Sequence, residues 1–158
     1  MTLQRREGLL GGAALLSLAG LGIALVTQHV FGMLPCAWCV FQRLICVVIA
    51  AVALLGLVWR SSLGARVSAG LTLLAGLCGV AAALWHLLVA SSSTSCNLSL
   101  AEKIVSGLSL DETLPAVFMP MASCADATAR LLGLPYPLWS LSLFVMASLA
   151  ALLSLRAR

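Results

Sequence analysis

Apolar residues gather along this chain into four long blocks and do not alternate with polar ones. Leu9 to Val30, Trp38 to Trp59, Val67 to Ala90 and Leu138 to Leu155 contain a single Lys, Arg, Asp or Glu between them, Arg43. A hydrocarbon core of about 30 Å takes roughly 20 helical residues, so the first three blocks span it easily and the fourth is short. Only helices and closed barrels satisfy every backbone group in lipid, and blocks without period-two alternation are helices. The pattern predicts an all-α membrane protein, a four-transmembrane-helix bundle, organised as one domain over residues 1–158.

The polar intervals are 31–37, a short connection around Arg60 and Arg66, and a long loop over 91–136. That loop is too long to be a passive link. Ser91 to Ser95 is a polar run, and Leu98 to Phe118 mixes Leu, Ile and Val with Glu102, Lys103, Asp111 and Glu112. Such a segment predicts short amphipathic helices on the membrane surface, broken at Gly107 and Pro115. Asp126 to Leu132 is expected to add one or two helical turns, and Gly133, Pro135 and Pro137 to stop them before the fourth span. Glycines 8, 11, 12, 20, 22, 76 and 79 are candidates for close helix contacts.

Composition agrees with a membrane protein, with 62% hydrophobic and 9% charged residues and a mean hydropathy of +1.12. The distribution of charge adds an orientation. Arg5, Arg6, Arg60, Arg66, Arg156 and Arg158 fall on one side, against Lys103 and Arg130 on the other. Short loops rich in Lys and Arg stay cytoplasmic, so both termini are expected inside, with 31–37 and 91–136 as periplasmic or exterior loops. The net charge of +4 follows from this topology and does not point to nucleic acid. The first span exceeds the usual apolar core of a signal peptide and reads as a retained signal-anchor.

Topology then gives the cysteines a compartment. Cys36, Cys39, Cys96 and Cys124 fall in the outward loops, where disulfides persist, whereas Cys46 and Cys78 sit within spans and read as small packing residues. Four thiols allow three pairings, of which Cys36 with Cys39 and Cys96 with Cys124 is the most economical. Closing about 29 residues between Cys96 and Cys124 would stabilise the loop by about 3–4 kcal/mol in the chain-entropy model. Pro35 places the start of the second helix at or just after Cys36, so its free amides lie beside both sulfurs. Arg43, four residues past Cys39, shares that sulfur's face and supports negative charge on it. A cation one turn inside a bilayer is a functional candidate. Zinc is the other use of such a set of thiols, but the separated second pair and the oxidising side argue for redox chemistry and no metal.

Pro-Cys-x-x-Cys-x-x-Gln-Arg at Pro35 to Arg43, two separated loop cysteines, and Leu-Gly-Leu-Pro-x-x-x-Trp at Leu132 to Trp139 resemble the DsbB family of bacterial inner-membrane proteins. The resemblance covers nearly the whole chain. It implies a thiol:quinone oxidoreductase that reoxidises a DsbA-like thioredoxin-fold partner in the periplasm, with ubiquinone or menaquinone as cofactor. It further implies that Cys96 takes the mixed disulfide, that Cys124 pairs transiently with Cys36, and that Cys39 faces the quinone with Arg43 supporting its charge. His86 is similar to a histidine the family uses near quinone. That a DsbA-like oxidase near −120 mV draws on DsbB and quinone is an established property of this relay, and thiol buffers near −220 mV would reverse it. A DsbI-like or vitamin K epoxide reductase-like relative, or a thiol-rich metal-binding protein, are the competing readings.

Overall fold

The computed structural model describes residues 2–59, 61–90, 100–123 and 130–157. Four helices carry the bundle: α1 (Thr2–His29), α2 (Ala37–Val58), α3 (Ser62–Leu88) and α7 (Tyr136–Arg156). All four are long and apolar enough to cross a membrane. Each starts earlier than its apolar block, because polar residues at the ends continue or cap the helix. The fourth reaches 21 residues, which removes its shortfall. Pro137, expected to precede this helix, lies in its first turn, where the missing amide has no partner to lose.

The helices form a closed ring in which α2 packs between α1 and α3, and α7 between α3 and α1. The ring alternates direction, so the α1 C-terminus, the α2 N-terminus, the α3 C-terminus and the α7 N-terminus share one end. This is the cysteine end. At the opposite end Arg5, Arg66 and Arg156 are exposed, while Arg6 is buried and donates through Nε to the Ala157 carbonyl at 2.9 Å. That bond ties the first helix to the last turn of the chain.

Small residues let the helices approach closely. A Cβ built on Gly79 would meet the fully buried Phe144 ring at 2.5–2.8 Å, and one on Gly76 would overlap the Ser148 side chain. Gly20 against Leu143 and Gly56 against Ser68 are similar. Gly8, Gly12 and Gly22 face open space, so only some of the expected glycine contacts form.

Beyond the bundle, α4 (Leu100–Gly107), α5 (Leu110–Thr113) and α6 (Pro115–Phe118) cover the cysteine end. The breaks fall at Gly107 and Pro115, as their backbone chemistry requires. These helices bury Val105 and Phe118 against Val40 of α2, so their apolar face is spent on the bundle. Residues 126–129 lie outside the described residues, but the helical turns expected through Leu132 do not form at 130–132. Arg130–Leu131 (β1) pairs antiparallel with Leu134–Pro135 (β2) around Leu132 and Gly133, at φ +54° and +83°. Two consecutive positive φ angles make a tight hairpin turn, which has the opposite hand to a helical turn.

Gly79→Ala is expected to destabilise the bundle by about 1–3 kcal/mol through overpacking against Phe144. Gly22→Ala, with space for the methyl group, is expected to leave the thermal unfolding midpoint in detergent unchanged or raise it. Equal midpoints for the two variants would refute the close approach of α3 and α7.

Candidate functional site

The site begins with the way α2 starts. Pro35 ends the extended connection and Cys36 takes the N-cap position at φ −86° and ψ 169°. Its sulfur accepts from the Cys39 amide at 3.4 Å, which turns both sulfurs toward the helix N-terminus. They stand 3.1 Å apart. Free amides and the positive end of the helix dipole favour negative charge at this point.

The two sulfurs face different surroundings. Cys36 is fully buried, and His86 Nε2 from α3 stands 3.5 Å from its sulfur. The Gln42 amide nitrogen reaches His86 Nδ1 at 3.4 Å. With that nitrogen accepting, the ring proton sits on Nε2 and faces Cys36. Cys39 is partly exposed and lines a cavity of about 780 Å³ between α1, α2 and α7. Among the described residues, Cys36 and His86 are not part of the cavity wall. His86 therefore stands on the buried sulfur and away from the cavity.

Arg43 lies at the head of this cavity, one turn below Cys39, and only 7% of its surface is exposed. Among the described residues its hydrogen bonds go to oxygen. Nη1 donates to Gln28 Oε1 at 2.5 Å and to the Val117 carbonyl at 2.9 Å, and Nη2 to the Ala24 carbonyl at 3.2 Å. These are neutral oxygens, so among the described residues no carboxylate cancels the positive charge, which remains within Coulombic reach of both sulfurs. Gln28 also donates through Nε2 to the Ala116 carbonyl at 3.3 Å, and His29 Nε2 stands 3.1 Å from the same oxygen. Gln28 and His29, the last two residues of α1, thus anchor α6 over the site.

Most of the rest of the wall is apolar, with Gln42, Ser140 and Ser142 as further polar groups, Cys46 on the α2 side and Tyr136 on the α7 side. Leu15, Ile23, Trp139 and Met146 on its rim are exposed on the apolar belt of the bundle, so it opens sideways toward lipid. Cys46 is buried as expected, and it also borders the cavity. Cys78, expected to pack in the interior, is exposed. It lies on the outward face of α3, where lipid is the natural neighbour of a small apolar side chain.

Cys96 and Cys124 lie outside the described residues. Ala122 pairs in parallel with Cys36, and the Met121 and Ala122 amides donate to the Pro35 carbonyl at 2.8 and 3.3 Å. Gln28 and Tyr136 were not singled out from the sequence, and Gln42 entered only as a motif position with no role. A polar triplet at Thr27 to His29 ending an apolar span, and the only tyrosine of the chain, were the signals available for two of them.

Sulfur and nitrogen ligand atoms of Cys36, Cys39 and His86 all lie within 4.8 Å of one another. That donor set suits dithiol chemistry and is also one a thiophilic metal ion accepts.

The family model for disulfide bond formation protein DsbB matches residues 5–154. A disulfide bond formation protein B from Herminiimonas arsenicoxydans is 37% identical over 139 residues, 86% of each chain. One from Burkholderia pseudomallei is 33% identical over 156 residues, 98% of this chain and 92% of the relative. A third, from Pseudomonas syringae pv. tomato, is 32% identical over 148 residues, 93% of this chain and 88% of the relative. With its four apolar helices and a cysteine pair at their shared end, this multi-pass membrane protein belongs to the DsbB family of disulfide bond formation proteins.

Proposed function

We propose that the chain is a thiol:quinone oxidoreductase of the bacterial inner membrane that reoxidises a DsbA-like periplasmic dithiol oxidase. The observation that carries this reading is that Cys39 alone of the Cys36–Cys39 pair borders a lipid-facing cavity. Its partner sulfur is buried beside His86, under the loop helices. A two-sided redox centre needs that division: one sulfur toward a protein disulfide, the other toward a lipid-soluble acceptor.

A cavity of about 780 Å³ with apolar walls and a few polar groups at one end fits a substituted quinone ring with part of its tail. Quinone, when bound there, supplies the two-electron, two-proton acceptor, so partner dithiol plus quinone gives partner disulfide plus hydroquinone. Cys39, Arg43 and Tyr136 would hold the ring, and the apolar α1 and α7 surfaces the tail.

The chain's own part runs through its thiols. A partner thiolate attacks Cys96 of the Cys96–Cys124 disulfide and Cys124 leaves as the thiolate; the partner's second thiolate then displaces Cys96, so the partner leaves oxidised and the Cys96–Cys124 pair is reduced. A Cys124 thiolate then attacks Cys36 of the Cys36–Cys39 disulfide, and Cys39 departs as the thiolate. Cys96 attacks Cys124 and releases Cys36, which restores the loop disulfide. The contact of Ala122, two positions before Cys124, with Cys36 supports this pairing. His86 would steady the released Cys36 with its Nε2 proton, and Arg43 the charge on Cys39. Exposed arginines at the other end favour cytoplasmic termini.

Arg43 supports the site in two ways, since its bonds also hold Val117 of α6. Gln28 is the positioning residue of that arrangement.

The close grouping of Cys36, Cys39 and His86 favours metal binding as a second reading. Metal analysis with a thiol count separates the two: the proposed enzyme carries little zinc as isolated, whereas one zinc per chain with reduced cysteines would replace the redox reading.

Reduced DsbA-like protein and a ubiquinone analogue, followed by quinone absorbance, test the central claim. Cys39→Ser is expected to abolish turnover, and a wild-type rate would overturn the proposal. Arg43→Ala is expected to raise the quinone KM, lower kcat, and destabilise the protein by about 2–4 kcal/mol as three oxygens lose a charged donor. Gln28→Ala is expected to raise the quinone KM several-fold and to speed amide hydrogen exchange over Pro115–Phe118. No change in either would refute the anchoring role.

A further inference from the structure

Behind the wall of the cavity, Thr27 and the cavity-lining Tyr136 form a short run of hydroxyl groups whose hydrogens can be redirected. Thr27 Oγ1 donates to the Ala24 carbonyl at 3.0 Å, and the Tyr136 hydroxyl stands 3.4 Å from Thr27 Oγ1. Since the Thr27 hydrogen is committed to Ala24, Tyr136 is the donor in this second contact. At 3.4 Å between oxygens that bond is long and weak. Tyr136 borders the cavity together with Arg43 and Cys39.

The Ala24 carbonyl has a second donor, Arg43 Nη2 at 3.2 Å. Thr27 can therefore rotate its hydrogen from Ala24 to Tyr136 without leaving a buried carbonyl unpaired. That rotation frees the Tyr136 hydrogen for a ligand. Three other polar groups on the wall already have partners: Gln42 reaches His86 Nδ1, Ser142 Oγ donates to the Trp139 carbonyl at 2.8 Å, and three of the four terminal N–H groups of Arg43 go to oxygens. A ligand oxygen entering so apolar a space gives up its water, and a waiting donor offsets that loss.

We propose that Tyr136 donates a hydrogen bond to a ring oxygen of the bound quinone, with Thr27 as the positioning residue that supports the tyrosine hydroxyl when it turns into the cavity. This rests on the quinone reading of the cavity and adds to it a neutral donor, distinct from the charged Arg43 and the thiols. The bond makes the site selective for ring ligands bearing an oxygen at that edge over apolar rings of the same size. Tyr136→Phe removes the donor and keeps the ring that lines the cavity.

Equilibrium binding of ubiquinone-1 to purified protein, with infrared spectra of carbonyl-labelled ubiquinone-1 in the bound state, tests this without turnover. Wild-type protein is expected to lower one carbonyl stretch relative to ubiquinone-1 in detergent micelles. Tyr136→Phe is expected to return that band toward its free position and to weaken binding about tenfold, the scale of one neutral hydrogen bond. Thr27→Val is expected to give an intermediate band. Bands and affinities identical in wild type and Tyr136→Phe would overturn the Tyr136 assignment alone, leaving the quinone function standing. Wild-type protein that binds no ubiquinone-1 would overturn both. Should Tyr136→Phe not fold, an unshifted band in Thr27→Val overturns the assignment in its place.

Discussion

A guanidinium buried among apolar helices has to be satisfied inside the protein, and the way Arg43 meets that demand organises the cysteine end. Water is not available at this depth, and an unpartnered cation there costs several kcal/mol. Three neutral oxygens, from Gln28, Ala24 and Val117, supply the bonds. Two come from α1 and one from α6, so satisfying one charge on α2 fixes α1 against α2 and draws α6 over both. Because no carboxylate among the described residues takes part, the charge itself stays available to the sulfur one turn above. A salt bridge would have solved the burial problem and removed that electrostatic support.

Around this centre the Cys36–Cys39 pair is divided by depth. The N-cap geometry places Cys36 inward, where α3 brings His86 to it, and leaves Cys39 on the side facing α1 and α7. Helical periodicity alone puts two residues three positions apart on nearly the same face. The different environments arise because the first of them is the cap, outside the helix, with extended backbone. In the proposed reaction that difference decides which sulfur meets a protein disulfide and which meets the membrane acceptor.

The position of the cavity follows from uneven packing. Half of the α2 spanning window is buried, 50%, against 28% for α1 and for α7. Where α3 meets α7, Gly76 and Gly79 admit Ser148 and Phe144 and close the interface. Larger residues such as Leu15, Ile23 and Met146 hold the outer edges of α1 and α7, and the space between them remains open to lipid. Tight contact on one side of the ring thus permits a gap on the other.

Hydrophobic block length by itself determined the number of membrane helices, because backbone satisfaction in lipid leaves no alternative to a helix about 20 residues long. Proline and glycine likewise marked the breaks at Gly107 and Pro115, and the Cys-x-x-Cys spacing with Arg43 marked the chemistry. The hairpin at Leu131 to Leu134 was missed, since a local propensity for a helical turn lost to a two-residue turn of positive φ. The roles of Gln28, Gln42 and Tyr136 became visible only in three dimensions. These residues lie 15, 1 and 93 residues from Arg43 along the chain, and for the two distant ones nothing local records which helix will pack against which. Gln42, although adjacent, takes its role from His86 on another helix. The partners of a buried polar group are set by helix packing, and that is a property of the assembled bundle.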